Sequence, residues 1–325
     1  MEIHPHDAGE RGIGNDDRVG IRSRVGEAGL RTPAPERIQP VVGTPADAAG
    51  PRQGMRALPV EGVRDGLRFA TQDWVAEEVP VALEYNGISH AVMLATPLDL
   101  EDFALGYSLG DGILGSASEL YAIEEEASAR GVTVRMQVSS GALARLEKRR
   151  RSLTVRTDCG LCGTQSLEHV SHDLPALAGA ARIGRGAVAR AMSQFDALQT
   201  LQQATGAVHA AAWCSADGEV HWLREDIGCH NALDKLIGAL VRNGVKAPAG
   251  FMAVTSRTSF GMVQKTAMAG VPLLAAVSAP TSLAVATAQG VGMTLVGFAR
   301  GHDLVVYSHA GRLALDGAAA ASGPG

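Results

Sequence analysis

Residues 251–298 read FMAVTSRTSFGMVQKTAMAGVPLLAAVSAPTSLAVATAQGVGMTLVGF, and this stretch decides the expected fold. Phe251–Thr255 is an apolar run of strand length, and Phe260–Ala269 reads as a helix closed by Gly270. Leu273–Val277 is a second strand, Thr281–Ala288 a second helix closed by Gly290, and Thr294–Phe298 a third strand. Alternation of this kind predicts an α/β layered sheet with helices on both faces. From Thr266 to Ala299 there is no charged side chain, a span longer than the roughly 20 residues that cross a bilayer. Gly270, Pro272, Pro280, Gly290 and Gly292 nevertheless cut it into strand-length and helix-length pieces. Thr281, Ser282, Thr287 and Gln289 would also be costly in lipid. A buried β-α-β segment is expected, and no membrane contact.

Working outward, Leu304–Tyr307 closes the domain as a last strand. Upstream, Val208–Cys214 and Val220–Leu223 flank an Asp217-Gly218 turn, and Ala232–Arg242 carries the apolar stripe Leu233, Leu236, Ile237, Leu240 and Val241 before Gly244. An α/β cofactor-binding domain is therefore expected over 206–315. A smaller β-rich subdomain is expected over 74–157. It opens with Val79–Tyr85 and Ile88–Ala95 around Asn86-Gly87, a strong hairpin signal. Thr96 as N-cap, Pro97 at the first position and the carboxylates Asp99, Glu101 and Asp102 predict a helix that ends by Gly112. Strands Leu120–Glu125 and Val132–Val138, a helix Ala142–Arg150 and a strand Leu153–Arg156 follow. Residues 158–205 read as a mobile loop and connecting helices. The fold is expected to start near Trp74. Residues 1–58 read as a disordered extension, because no aromatic precedes Phe69 and Gly and Pro make up 16 of the first 59 residues.

Composition narrows the function classes. The 325 residues are 46% hydrophobic but only 4% aromatic, so Ala, Val, Leu and Gly must fill the core. A net charge of −5 with mixed signs gives no reason to expect nucleic acid. The first thirty residues lack the apolar core of a signal peptide, and a cytoplasmic protein is expected. In that setting two nearby cysteines point to metal or sulfur chemistry before a structural disulfide.

The sharpest chemical feature is Thr157-Asp158-Cys159-Gly160-Leu161-Cys162-Gly163, two thiols on a glycine-bracketed loop. Lys148, Arg149, Arg150, Arg151 and Arg156 lie just upstream, and any that approaches the thiols would raise the thiolate fraction. Several readings compete. A structural zinc site would need His169 and His172 to complete a Cys₂His₂ set at cramped spacing. A thioredoxin-like dithiol would stand at a helix start rather than in a glycine-rich loop. Zinc deaminase chemistry requires H-x-E before P-C-x-x-C, whereas here His209 is followed by Ala210 and Ala211. A sulfur carrier would use one thiol as a reversible persulfide. An inert thiol pair is the bland alternative.

Three further clusters stand out. Arg224-Glu225-Asp226-Ile227-Gly228-Cys229-His230-Asn231 and then Asp234-Lys235 crowd the start of an apolar helix, which reads by default as a solvated face. His230 and Asn231 also sit among unpaired helix-terminal N–H groups, a place suited to an anion. Ser256, Arg257 and Ser259 lie between a strand end and a helix start, where open α/β sheets bind ligands, although Ser259 is equally an ordinary N-cap. Phe298-Ala299-Arg300-Gly301-His302-Asp303 ends another strand and is either part of the same rim or a plain turn.

Together these segments resemble the formate dehydrogenase accessory sulfurtransferase (FdhD) family. The resemblance runs from about Glu78 to Leu313. It rests on Glu78-Val79-Pro80, Thr96-Pro97, the Asp158–Gly163 loop, Val208-His209, Arg224–Gly228, His230–Lys235, Ser259–Lys265 and Ser278–Ala284 in that order. It implies a cytidine deaminase-like layered sandwich and a sulfur carrier. Such a carrier takes sulfur from a cysteine desulfurase and passes it to a molybdenum (or tungsten) bis-pterin guanine dinucleotide cofactor destined for formate dehydrogenase. By similarity Cys159 carries the persulfide, Cys162 assists, and Phe298–Asp303 contacts the cofactor, which is cargo; no permanently bound metal is expected. A homodimer is implied too. Two departures are the long N-terminal extension and Cys229, which stands where the family usually has Arg and would be a third reactive thiol.

Overall fold

The computed structural model describes residues 53–150, 174–177 and 182–315. Cys159, Cys162 and the expected strand Leu153–Arg156 lie outside the described residues, as does nearly all of the expected extension. The described chain opens with a ribbon, β1 (Met55–Arg64) and β2 (Leu67–Ala76). Asp65 and Gly66 turn it with φ of 53° and 81°, the backbone of a type I′ hairpin turn. Gly62 leaves the space that the Phe69 ring fills across the ribbon. The ribbon lies upstream of Trp74 and overlaps the expected extension, so the fold starts earlier than expected. Its signal was Asp65-Gly66, masked by Pro59 and Gly62, which are poor strand residues.

A four-stranded sheet follows, ordered β4-β3-β6-β5. It comprises β3 (Val79–Tyr85), β4 (Ile88–Ala95), β5 (Leu120–Ser128) and β6 (Gly131–Val138). The β3–β4 turn is the expected Asn86-Gly87, again with both φ angles positive. Helices α1 (Leu100–Gly110) and α2 (Ser140–Arg150) cover it, burying Leu83, Tyr85, Val134 and Met136 against Phe103, Tyr107, Ala142 and Leu146. Helix α1 starts three residues later than Pro97 predicts. Its N-cap is Asp99 in the left-handed region (φ 53°), and Thr96 is free to serve elsewhere.

After a short strand β7 (Ile183–Gly184) come α3 (Arg185–Leu198) and α4 (Thr200–Thr205). The remaining elements are β8 (His209–Ser215), β9 (Val220–Asp226), α5 (Cys229–Arg242), β10 (Gly250–Val254), α6 (Phe260–Met268), β11 (Leu273–Ala276), α7 (Ser282–Val291), β12 (Thr294–Arg300), β13 (Asp303–Ser308) and β14 (Leu313–Ala314). They form a six-stranded sheet, β13-β12-β11-β10-β8-β9, in which β10, β11 and β12 run parallel and the rest antiparallel. β14 pairs with β7 apart from it. Alternate side chains serve the two faces. Trp213, Met252, Val254, Leu274 and Leu295 meet α5, α6 and α7. Ala212, Cys214, Phe251, Ala253 and Val296 meet Val188, Ala191 and Phe195 of α3. The charge-free stretch thus supplies β11, α7 and β12, and among the described residues no helix is long and apolar enough to cross a membrane.

Helices α1 and α5 pack closely enough that their backbones nearly touch. A Cβ on Gly106 would overlap the Asp234 carbonyl oxygen, and one on Gly238 would overlap the Asp102 carbonyl oxygen. Glycine at both positions is what lets the helices approach this far.

Candidate functional site

The start of α5 is not a solvated face. Asp226, Asp234 and Lys235 are each 0% exposed, and Asn231 is buried as well. Lys235 Nζ reaches Asp226 Oδ2 at 2.6 Å and donates to Thr96 Oγ1 at 2.7 Å and Thr96 O at 3.1 Å. The Thr96 N–H and hydroxyl both donate to Asp226 Oδ2, while Asn231 and the Gly228 N–H donate to Asp226 Oδ1. Lys265 of α6 donates to both oxygens of Asp234 and to Asp111 beyond the end of α1. The glycine-mediated crossing removes water from these groups, so each charge must meet an opposite charge or a polar backbone group. Burial pulls Lys235 below its ordinary pKa against the attraction of Asp226. Burial also opposes the Lys265 ammonium, but Asp234 and Asp111 outweigh it and hold its pKa above the usual value. Glu225 is equally structural: its two carboxylate oxygens accept from the Leu201 and Gln202 N–H groups and cap α4. The second cluster therefore joins the two sheets, and Asn231 faces inward rather than toward an anion.

The rim at the carboxyl ends of β10, β11 and β12 has a different character. The Thr258 N–H donates to Ala279 O and the Thr281 N–H to Thr258 O, which zips the loops after β10 and β11 together. The Phe298 N–H donates to Ser278 O, and Arg300 Nε donates to Val277 O at 3.0 Å. Ser256, Arg257, Ser259, Phe298 and Arg300 thus belong to one continuous edge. Arg257 is exposed; its carbonyl accepts from the Ser256 hydroxyl, its guanidinium makes no hydrogen bond or ion pair among the described residues, and Arg300 uses only its Nε. Phe298 is 41% exposed and sits at φ 51°, a strained backbone for an aromatic residue, beside a register shift between Gly297 and Arg300. Gly301, His302 and Asp303 form the exposed turn into β13. Ala299 packs into the core beneath α3, so only its backbone faces the rim.

Ser259 occupies the N-cap of α6, but its hydroxyl makes no capping bond; it lies 3.0 Å from His230 Nε2. Burial, and then the Lys265 charge, pushes the His230 imidazole down to about 4, so the ring is neutral at pH 7. On its other side Nδ1 lies 3.7 Å from Cys229 Sγ. Burial raises the Cys229 thiol despite a hydrogen bond with Ser256 and the nearby Arg257 charge, which makes it a protonated thiol rather than a poised nucleophile. His209 Nδ1 lies 3.3 Å from Thr255 Oγ1, and burial lowers its pKa as well. The Thr258 hydroxyl is fully buried with no hydrogen-bond partner among the described residues, a feature its sequence position did not announce. No group of three or more His, Cys, Asp or Glu side chains among the described residues could hold a metal ion.

The chain can now be set beside known proteins. Residues 76–314 match the model of the FdhD/NarQ family. The sulfur carrier protein FdhD of Variovorax paradoxus is 60% identical over 256 residues, which cover 79% of this chain and 92% of that protein. The sulfur carrier protein FdhD of Bordetella bronchiseptica is 50% identical over 260 residues, 79% of this chain and 94% of its own length. A crystal structure from Desulfotalea psychrophila, described as that of a formate dehydrogenase accessory protein, superposes with a TM-score of 0.63 at 22% identity. It covers 80% of this chain and 99% of its own, and shows the same mixed α/β fold. The chain belongs to the FdhD/NarQ family.

Proposed function

We propose that this protein is a sulfur carrier in the maturation of formate dehydrogenase. The observation that carries the reading is the 60% identity to a sulfur carrier protein across 92% of that relative. In the proposed cycle the Cys159 thiolate attacks the outer sulfur of a cysteine desulfurase persulfide. The new S–S bond forms as the old one breaks, and the desulfurase thiolate leaves. The Cys162 thiolate then attacks the inner sulfur on Cys159; a Cys159–Cys162 disulfide forms as the persulfide S–S bond breaks, and the outer sulfur leaves as sulfide to the substrate, a molybdenum bis-pterin guanine dinucleotide cofactor. The Arg257 guanidinium and the terminal nitrogens of Arg300, which have no partner among the described residues, hold the nucleotide phosphates, with Ser256 and Ser259 and the start of α6 adding N–H and O–H donors. Phe298, Gly301, His302 and Asp303 complete the contact, together with the Ala299 backbone. The helices on both faces of the six-stranded sheet are compatible with a cytidine deaminase-like sandwich. The family resemblance further implies a homodimer, and the expected setting is cytoplasmic.

The competing reading is a non-catalytic chaperone that holds the cofactor for insertion. Formate dehydrogenase activity in cells whose own accessory protein has been deleted separates the two. Complementation by the wild-type chain, lost with Cys159→Ala, supports the carrier, and full complementation by Cys159→Ala supports the chaperone.

A further inference from the structure

Helix α6 starts without a side-chain cap. Its N-cap is Ser259, whose hydroxyl bonds none of the first N–H groups of the helix. The neighbouring helix α7 shows the ordinary arrangement, in which the Thr281 hydroxyl at the N-cap accepts from the Ala284 N–H. What distinguishes Ser259 is its partner: the hydroxyl lies 3.0 Å from His230 Nε2 at the start of α5. The ring is held from its other side as well, where Nδ1 lies 3.7 Å from Cys229 Sγ. The N–H groups of Phe260, Gly261 and Met262 are left with no hydrogen-bond partner among the described residues, although all three residues are buried. The Thr258 hydroxyl, one position before the cap, is equally buried and unpartnered among the described residues. Buried donors left open in this way cost free energy unless an acceptor arrives, and the positive end of a helix favours an anion.

We infer that His230 is a positioning residue: by holding the Ser259 hydroxyl off the cap, it keeps the first N–H groups of α6 open for a phosphate of the cargo. The inference rests on the reading above that this edge holds the nucleotide phosphates. Without His230, Ser259 would close α6 as Thr281 closes α7, and the helix start would offer an anion fewer free donors. Cys229 stands behind the ring as its support rather than as a thiol that reacts.

The test follows the backbone amides of Gly261 and Met262 by NMR, and affinity by calorimetry, in the full chain. The probe is guanosine diphosphate, the part of the proposed cargo that carries the phosphate pair; guanosine, which has no phosphate, is the control. In the wild-type chain guanosine diphosphate should move both amides downfield and guanosine should not. His230→Leu releases the Ser259 hydroxyl, so both amides should already lie downfield without ligand, and guanosine diphosphate should bind about tenfold more weakly. His230→Gln, whose side-chain amide can still reach the Ser259 hydroxyl, should keep the amides open and bind within about threefold of the wild-type chain. Ser259→Ala keeps the test decisive should His230→Leu fail to fold. It should leave the ligand-free amides where they stand in the wild-type chain, because the hydroxyl does not bond them. An upfield move of those amides in Ser259→Ala would show that the hydroxyl caps α6, and would overturn the inference. Unchanged amides and affinity in His230→Leu would also overturn it. So would equal losses of affinity in the Leu and Gln variants with the ligand-free amides unmoved, since the ring would then only fill space. If guanosine diphosphate binds the wild-type chain no better than guanosine, or leaves both amides unmoved, the reading of this edge as the phosphate site itself fails, an outcome distinct from the others.

Discussion

Lys235 Nζ lies 2.6 Å from Asp226 Oδ2, and neither side chain is exposed. The pair joins α5 to the end of β9, and through Thr96 it reaches the loop between β4 and α1. Removing one partner leaves a buried, uncompensated charge, so Asp226→Asn or Lys235→Met should each cost about 3–5 kcal/mol in urea unfolding at pH 7. The double variant Asp226→Asn/Lys235→Met should cost less than the sum of its two single changes. Additive losses would show that the two groups do not act as a pair.

The α1–α5 crossing gives a prediction opposite in sign to helix propensity. Replacing glycine by alanine inside a helix ordinarily stabilises it by about 1 kcal/mol. At Gly238 the added Cβ meets the Asp102 carbonyl oxygen, and at Gly106 the Asp234 carbonyl oxygen. Gly106→Ala and Gly238→Ala should therefore each destabilise by about 1–3 kcal/mol or more, and Gly244→Ala, outside the crossing, tests only the strain of its own positive φ. A rise in melting temperature for Gly238→Ala would contradict the close packing.

His230 should make stability depend on pH. Its folded pKa, about 4, lies below the ordinary 6.5, so between these values the unfolded chain binds the extra proton. Stability from this group is complete above about 6.5 and is lost as pH falls toward 4, a change of about 3 kcal/mol. The urea midpoint of the wild-type chain should fall over that window, and His230→Gln should flatten the fall. An unchanged slope in His230→Gln would place the titration elsewhere.

The two described cysteines should react slowly. Burial raises Cys229 and pushes Cys214 up to about 12, and Cys214 is fully buried. At pH 7 iodoacetamide should modify Cys229 only sluggishly and Cys214 only after unfolding, as read by peptide mass. Rapid labelling of Cys229 would restore it as a third reactive thiol.

Much of the architecture was legible because apolar periodicity and turn chemistry agree from Val79 onward. Asn86-Gly87 marks β3–β4, and Gly270 and Gly292 close α6 and α7 within two residues of expectation. The ribbon β1–β2 was hidden because exposed strands carry no apolar alternation. The start of α5 was misread for a physical reason: polar residues on a helix look solvated until the packing partner is known. Only the crossing at Gly106 and Gly238 shows that Asp226, Asp234 and Lys235 point into protein. The rim was legible from strand-end hydroxyls and arginines. The inward turn of Ser259 toward His230 and the orphaned Thr258 hydroxyl depend on tertiary contacts that no local pattern encodes.

The central claim is that Cys159 carries sulfur, and intact-protein mass after incubation with a cysteine desulfurase and cysteine tests it most directly. The wild-type chain should gain one sulfur atom that a thiol reductant removes, and Cys159→Ala should gain none. No gain in the wild-type chain, or a gain that survives in Cys159→Ala, would contradict the account.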